Sequence, residues 1–339
     1  MGFVAPDVGI DLGTCNMMVS IRGRGVVLSE PTLVVAEKST GDLLALGNDA
    51  VMLLGRMTED VAIIRPLSSG IITDFEMTQA LLKYMLKKAI GSSYIVKPRI
   101  FVSYPCSLSE LEQRALREAA LTCGARKVYL IEQSILAALG SGLPIFEPNG
   151  CMVVDIGGGT TDAAVISLGG TVVHHSIPVG GNKMDEAIIS YIRRVFNMLV
   201  GDRTAEQIKL DLGTALPSGV LRKARIRGRE LTTTLHQIKE INNDQVYEAI
   251  RDTCVAIRDS IVQVLNYTPP ELCADVKHNG IYLTGGAAQL YGLNQMIATD
   301  LKIPVSLARE PADCTAQGLV YIIEHFDEME HRGMLESLM

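Results

Sequence analysis

The sequence predicts an α/β fold made by duplication, with mixed sheets flanked by helices in each of two halves. Three segments carry this reading. The first is Val8-Gly9-Ile10-Asp11-Leu12-Gly13-Thr14-Cys15-Asn16, and the second is Val153-Val154-Asp155-Ile156-Gly157-Gly158-Gly159-Thr160-Thr161-Asp162. Each is an apolar run ending in Asp, one apolar residue, then Gly with small polar residues, and a second apolar run follows at 17–21 and at 163–168. This is the pattern of a strand–turn–strand hairpin. Glycine in the turn lets backbone N–H groups converge on an anion. A carboxylate at the strand end can hold magnesium through its waters, although Asp there also caps turns. The third segment, Gly280-Ile281-Tyr282-Leu283-Thr284-Gly285-Gly286-Ala287-Ala288, is a strand entering a Gly-Gly turn that can approach a flat ligand such as a purine. One Asp-x-Gly turn is common; one per half with a purine turn implies a single nucleotide gripped in a cleft between the halves.

The elements follow in order. Strands are expected over 8–10, 17–21 and 26–28, then an excursion over 31–74. A helix over 76–89 carries Met77, Leu81, Leu82, Met85, Leu86 and Ala89 on one face. A strand over 99–103 precedes a helix over 109–123, opened by Ser109 and Glu112 at capping-box spacing. A strand over 127–131 and a helix over 134–140 complete the half. The second half repeats this grammar: strands over 151–155, 163–167 and 171–178, a helix over 183–200, and an excursion over 201–243. A long helix over 244–267, a strand over 280–283 and helices over 289–301 and 314–328 follow. Glu147-Pro148-Asn149-Gly150 breaks the pattern and marks the boundary.

Composition narrows the function. A chain of 339 residues, 47% hydrophobic, can bury two cores. A net charge of −7 without a basic block argues against nucleic acid as a partner. Seven cysteines without a Cys-x-x-Cys pair suggest neither a disulfide framework nor a zinc site, and fit a reducing cytoplasm. The six histidines show no metal spacing, and His174 and His175 fall on opposite faces of one strand. Residues 1–7 do not form a secretion signal. No apolar stretch reaches the roughly 18 residues needed to span a bilayer, so a soluble or peripheral protein is expected.

The order of the three turns resembles the actin, Hsp70 and sugar-kinase superfamily, and the intervening text resembles its bacterial actin branch, the MreB family. The resemblance rests on 10–16, 22–31, Ile64-Arg65-Pro66-Leu67, 70–75, 152–167, Met184-Asp185-Glu186-Ala187-Ile188, Arg203-Thr204-Ala205-Glu206 and Thr268-Pro269-Pro270-Glu271-Leu272. It runs from about 7 to about 321. It implies the actin-like ATPase fold, two RNase H-like domains with mixed five-stranded sheets, each with a smaller insertion. Domain I would be 1–149 plus about 313–339, with its insertion at about 31–75. Domain II would be 150–312, with its insertion at about 182–243. The last helix would cross back to the first domain.

The resemblance also implies ATP or ADP with Mg²⁺ as cofactors. Gly13, Thr14, Cys15 and Asn16 would lie on the β-phosphate side, with Cys15 as small filler, not a nucleophile. Gly157, Gly158, Gly159 and Thr160 would face the γ-phosphate. Asp11 and Asp155 would hold hydrated Mg²⁺. Gly181 and Asn182 match the ribose turn, where the family more often has Ala-Gly-Asp. Glu206 and Lys209 would flank adenine and ribose; one helical turn apart, they equally suit a surface salt bridge. Thr284, Gly285, Gly286 and Ala287 would close over the adenosine, Ala287 replacing a usual glycine. The catalytic set would be Gln133, Asp155, Asp11 and Thr160. Its main departure is Ile131-Glu132-Gln133-Ser134 against the family's Ile-Glu-Glu-Pro. Glutamine holds a water but cannot take its proton, so slow hydrolysis is expected, and Asp162 in place of Glu is one methylene shorter.

Tyr94, Ile95 and Val96 sit in a loop between Lys87-Lys88 and Lys97-Pro98-Arg99. By resemblance this loop inserts into the inner face of the plasma membrane, an apolar-plus-cationic anchor; the alternative is a buried strand start. The family further implies head-to-tail, paired filaments, partnership with cell-wall elongation proteins, and a role in cell shape. A small-molecule kinase of the superfamily, or a plasmid- or organelle-positioning actin, stands as the alternative. An Hsp70-like chaperone would need a substrate domain beyond Met339.

Overall fold

The computed structural model describes residues 6–53, 60–68, 70–91, 97–217, 219–233, 235–333 and 335. The chain divides into two compact units. Unit 1 is Met1–Asn149, Ile166–Val172 and Ala312–Met339; unit 2 is Gly150–Val165 and Val173–Pro311.

In unit 1, β1 (Asp7–Leu12), β2 (Asn16–Ile21) and β3 (Gly25–Pro31) form an antiparallel meander. The excursion is a small sheet of β4 (Val34–Glu37), β5 (Leu43–Leu46) and, after α1 (Gly47–Leu53), β6 (Val61–Ile64), in the order β5-β4-β6. A short ribbon of β7 (Leu67–Ser68) and β8 (Ile71–Ile72) leads to α2 (Phe75–Ile90). Asp74 caps α2 by accepting the Met77 N–H at 3.0 Å. Then come β9 (Arg99–Tyr104), α3 (Glu110–Thr122), β10 (Lys127–Glu132) and α4 (Gln133–Gly140). The five-stranded sheet has the order β10-β9-β1-β2-β3, with β9 parallel to both β1 and β10. The expected capping box forms on α3: Ser109 Oγ accepts the Glu112 N–H at 3.4 Å and Glu112 accepts the Ser109 N–H at 2.8 Å. Leu81, Leu82 and Met85 of α2 are fully buried in the core with Val8, Ile10 and Ile100 of the sheet.

Unit 2 begins with β11 (Cys151–Ile156), β12 (Thr161–Ser167) and β13 (Gly170–Ile177), the hairpin end of the last two grouping with unit 1. Next are α5 (Gly181–Phe196), β14 (Met198–Leu199), α6 (Asp202–Leu212), β15 (Lys223–Glu230), β16 (His236–Asn242) and α7 (Asn243–Tyr267). After α8 (Pro270–Asn279) and β17 (Ile281–Thr284) come α9 (Leu293–Leu301) and β18 (Val305–Leu307). The sheet order is β13-β12-β11-β17-β18, with β17 parallel to β11 and β18. Both sheets therefore add two parallel strands to the first strand of a consecutive three, the topological mark of duplication. Two expectations change. The helix expected over 289–301 is a 3₁₀ turn at Gly286–Gln289 and then α9, separated by Gly292 at φ 78°. The helix expected over 314–328 is α10 (Cys314–Glu324) and α11 (Phe326–His331), broken at His325.

Within unit 1, α10 packs directly on α4. A Cβ on Gly140 would overlap the Cys314 carbonyl, and one on Gly318 would overlap the Leu136 carbonyl. Glycine at both positions is what permits backbone-to-backbone contact. Buried Asp7 at the start of β1 accepts two hydrogen bonds from Arg99, both at 2.6 Å, and the Arg99 guanidinium lies 3.9 Å from the Phe326 ring centre. This pair is desolvated but fully engaged, as a buried ion pair must be.

Candidate functional site

Unit 1 contributes a polar cluster at the carboxyl ends of three adjacent strands, where ligands of open α/β sheets gather. Asp11 is the penultimate residue of β1, Ser103 on β9 hydrogen-bonds it, and Gln133 follows β10. Ser103 Oγ donates to Asp11 Oδ1 at 2.6 Å and accepts the Leu12 N–H at 3.0 Å. Burial pushes the Asp11 carboxyl up to about 6, opposed by hydrogen bonds from Ser103 and Gln133. A buried carboxyl held this way is stabilised by any cation that reaches it. The turn after β1 is braced by its neighbours: Thr32 Oγ1 donates to the Gly13 carbonyl at 2.7 Å, and Thr14 Oγ1 accepts the Gly70 N–H at 3.1 Å. A Cβ on Gly13 would overlap the Asn16 carbonyl, so this tight turn requires glycine. Cys15 is partly buried, and its carbonyl accepts the Thr32 N–H at 2.8 Å.

Unit 2 assembles the rest of its predicted residues around β11. Asp155 near the end of β11 is in register with Thr284 at the end of β17, so the second Asp turn and the purine turn lie side by side. Gly285 has φ 85°, and a Cβ there would overlap the Ile156 carbonyl and come within 2.5 Å of Asp155 Oδ1. The Gly157–Thr160 turn closes with Gly157 N–H donating to the Thr160 carbonyl at 2.9 Å. The carbonyls of Gly157 and Gly158 accept the N–H groups of Gly181 (3.0 Å) and Asn182 (2.8 Å), fastening the turn to the start of α5. A sixteen-residue helix thus presents its positive dipole end to the phosphate turn. Gly180 is needed for this approach, since a Cβ would lie within 2.8 Å of the Gly158 carbonyl oxygen.

Lys209 of α6 does not pair with Glu206, which is exposed. It reaches Asp185 of α5 at 2.8 Å and donates to the Gly181 carbonyl at 3.1 Å. Both partners of this pair are 13% exposed, and burial raises the Asp185 carboxyl while Lys209 opposes the shift. Beside Lys209 lies a cavity of about 150 Å³ walled by Met184, Leu210, Gly213, Ala287 and Leu290. Arg222, Gly286, Gln289 and Tyr291 complete the lining, so apolar side chains and two cations meet there. Asp162, next to the turn on β12, is 3% exposed; burial raises its carboxyl against hydrogen bonds with Ser176 and Thr160.

Residues 5–331 match the family model described as MreB/Mbl protein. The chain belongs to the MreB/Mbl family. It is 43% identical over 330 residues to the cell shape-determining protein Mbl of Bacillus subtilis, covering 97% of this chain and 99% of that one. It is 40% identical over 341 residues to the cell shape-determining protein MreB of Escherichia coli, covering 99% and 98%. The structure of MreB5 of Spiroplasma citri bound to AMPPNP superposes with a TM-score of 0.92 at 33% identity, covering 97% of this chain and 99% of that one. The MamK double helical filament structure, at TM-score 0.79 and 20% identity over 95% of this chain and 99% of that one, shares the fold. The expected actin-like architecture is therefore the fold of this MreB/Mbl-family chain.

Asp11 in unit 1 and Asp155 in unit 2 each present carboxylate oxygen, a donor that suits a hard cation such as Mg²⁺, which keeps most of its waters. Tyr94, Ile95 and Val96 lie outside the described residues. No described helix is long and apolar enough to cross a membrane. Sequence reasoning missed Ser103 and did not assign Asp185 a role; only their tertiary neighbours reveal what they do.

Proposed function

We propose that this chain binds Mg-ATP and Mg-ADP, assembles head to tail into filaments, and hydrolyses ATP slowly. The observation that carries this reading is the Asp155–Thr284 register, which sets the Asp155 strand end and the Gly285 turn side by side, with Gly286 and Ala287 lining a cavity next to Lys209. It is supported by relatives whose structures hold AMPPNP and ADP. In this reading Gly157 to Thr160 and the start of α5 receive the terminal phosphates, Gly13 to Asn16 the β-phosphate side, and Lys209 the sugar. Asp11 and Asp155 would hold the metal, whose chemistry is to neutralise charge on the transferring phosphoryl group. Gln133 orients the attacking water by hydrogen bonding without taking its proton. Electron microscopy of the purified chain tests assembly: filaments are expected with Mg-ATP and fewer with nucleotide removed. Monodisperse particles at high concentration with ATP would count against a filament-forming role.

The cellular role that fits these relatives is organisation of cell shape and wall synthesis from the inner face of the cytoplasmic membrane, with wall-elongation membrane proteins as partners. Attachment would run through Tyr94, Ile95 and Val96. Each fully buried apolar side chain contributes about 1.5–3 kcal/mol, less when insertion is shallow. One subunit then binds weakly, and a filament gains by multivalency. Ile95→Ser with Val96→Ser should abolish co-sedimentation of filaments with anionic liposomes at salt high enough to screen purely electrostatic contacts, while ATP binding persists. Parental liposome binding by that double variant would assign attachment to another surface.

A further inference from the structure

Away from these turns, unit 2 carries a row of cations on an open sheet face. β15 reads Lys223-Ala224-Arg225-Ile226-Arg227-Gly228-Arg229-Glu230. Its alternation sorts the side chains: Ile226 is 2% exposed and joins the core, whereas Lys223, Arg225, Arg227 and Arg229 are all exposed. The antiparallel register sets Asn242, Glu240, Ile238 and His236 of β16 directly opposite these four cations, and directly opposed residues share a face. The face therefore holds four cations about 7 Å apart, one carboxylate, and Ile238, which is 58% exposed. That carboxylate is already engaged, because Glu240 pairs with Lys223 at 3.4 Å. Arg225, Arg227 and Arg229 make no ion pair among the described residues. The whole chain carries −7, so this face opposes the sign of the molecule.

We propose that this face of β15 and β16 docks on an anionic lipid bilayer. A row of unpaired guanidinium groups is attracted to an anionic surface residue by residue, and exposed Ile238, with Leu235 (66% exposed) at the hairpin end, supplies the apolar part of a peripheral attachment. Single-stranded nucleic acid is disfavoured because recognition of that polymer uses aromatic stacking platforms, and residues 223–242 contain no Phe, Tyr or Trp. The surface does not rest on residues 94–96 and would act beside them.

The test uses the full chain without nucleotide and vesicles of phosphatidylcholine alone or mixed with phosphatidylglycerol. The parent should sediment with the anionic vesicles only, and added salt should weaken this as screening shortens the reach of the charges. Arg225→Gln with Arg227→Gln should lower partitioning about 30-fold at low salt, from two surface cations removed. Arg225→Lys with Arg227→Lys should retain it, because a lipid surface reads charge and not the guanidinium fork. Circular dichroism verifies that each variant is folded. Parental binding by the Gln pair, equal binding of the parent to neutral vesicles, or failure of the Lys pair would each overturn the proposal. The last result would point instead to bidentate recognition by an acidic protein.

Discussion

Gln133→Glu should raise phosphate release from ATP about 100-fold, the lower end of what a positioned general base supplies. Gln133 opens α4 at the end of β10, and its side-chain amide is close enough to Asp11 to oppose the rise that burial imposes on that carboxyl. A glutamate there gains the ability to accept the proton of the attacking water, but the structure attaches a cost. It replaces an amide donor by a second carboxylate beside the buried Asp11, and like charges that close disfavour ionisation of both. The variant should therefore unfold at lower temperature than the parent in the absence of metal. It should recover much of that difference with Mg-ADP, because a ligand bound only by the native state stabilises it. Single-turnover phosphate release and thermal unfolding with and without Mg-ADP read the two effects separately. A variant slower than the parent would show that the neutral amide beside Asp11, and not the missing base, sets the rate.

What could be read from the sequence was mostly local. The Ser109–Glu112 capping box and the Asp-Gly turns are encoded within a few residues, so spacing alone locates them. Gly292, which splits the expected helix over 289–301, was also present as a local signal, as was Pro270 at the first turn of α8. Long-range neighbours were not legible. Ser103 lies 92 positions from Asp11, and a single serine in the strand Arg99–Tyr104 carries no motif. A salt bridge between Lys209 and Glu206 on one helix stood as the alternative to their flanking adenine and ribose. Lys209 reaches α5 instead, because Asp185 and the Gly181 carbonyl offer a less exposed partner than a solvated Glu206. The Asp155–Thr284 register depends on β17 being added beside β11, a pairing that only the folded sheet displays.

Removing either strand-end carboxylate should reduce magnesium-dependent nucleotide affinity about 10- to 100-fold, the range of a hydrogen bond to a charged group. The two positions require different substitutions. Asp155→Ala removes a carboxylate whose Oδ1 lies within 2.5 Å of where a Cβ on Gly285 would stand, so the change opens space beside that turn. Asp11→Ala would strand the buried Ser103 hydroxyl without its acceptor, mixing lost stability with lost affinity. Asp11→Asn is the cleaner change: its carbonyl oxygen can still accept from Ser103 while the charge is gone. The expected signature in calorimetry is a large loss with Mg²⁺ and a small one in chelator, for Asp11→Asn and Asp155→Ala alike. If both variants bind Mg-ATP as the parent does, neither carboxylate serves the metal. Asp11 would then be a buried polar brace between β1 and β9, and the two Asp turns would owe their likeness to the duplicated scaffold alone.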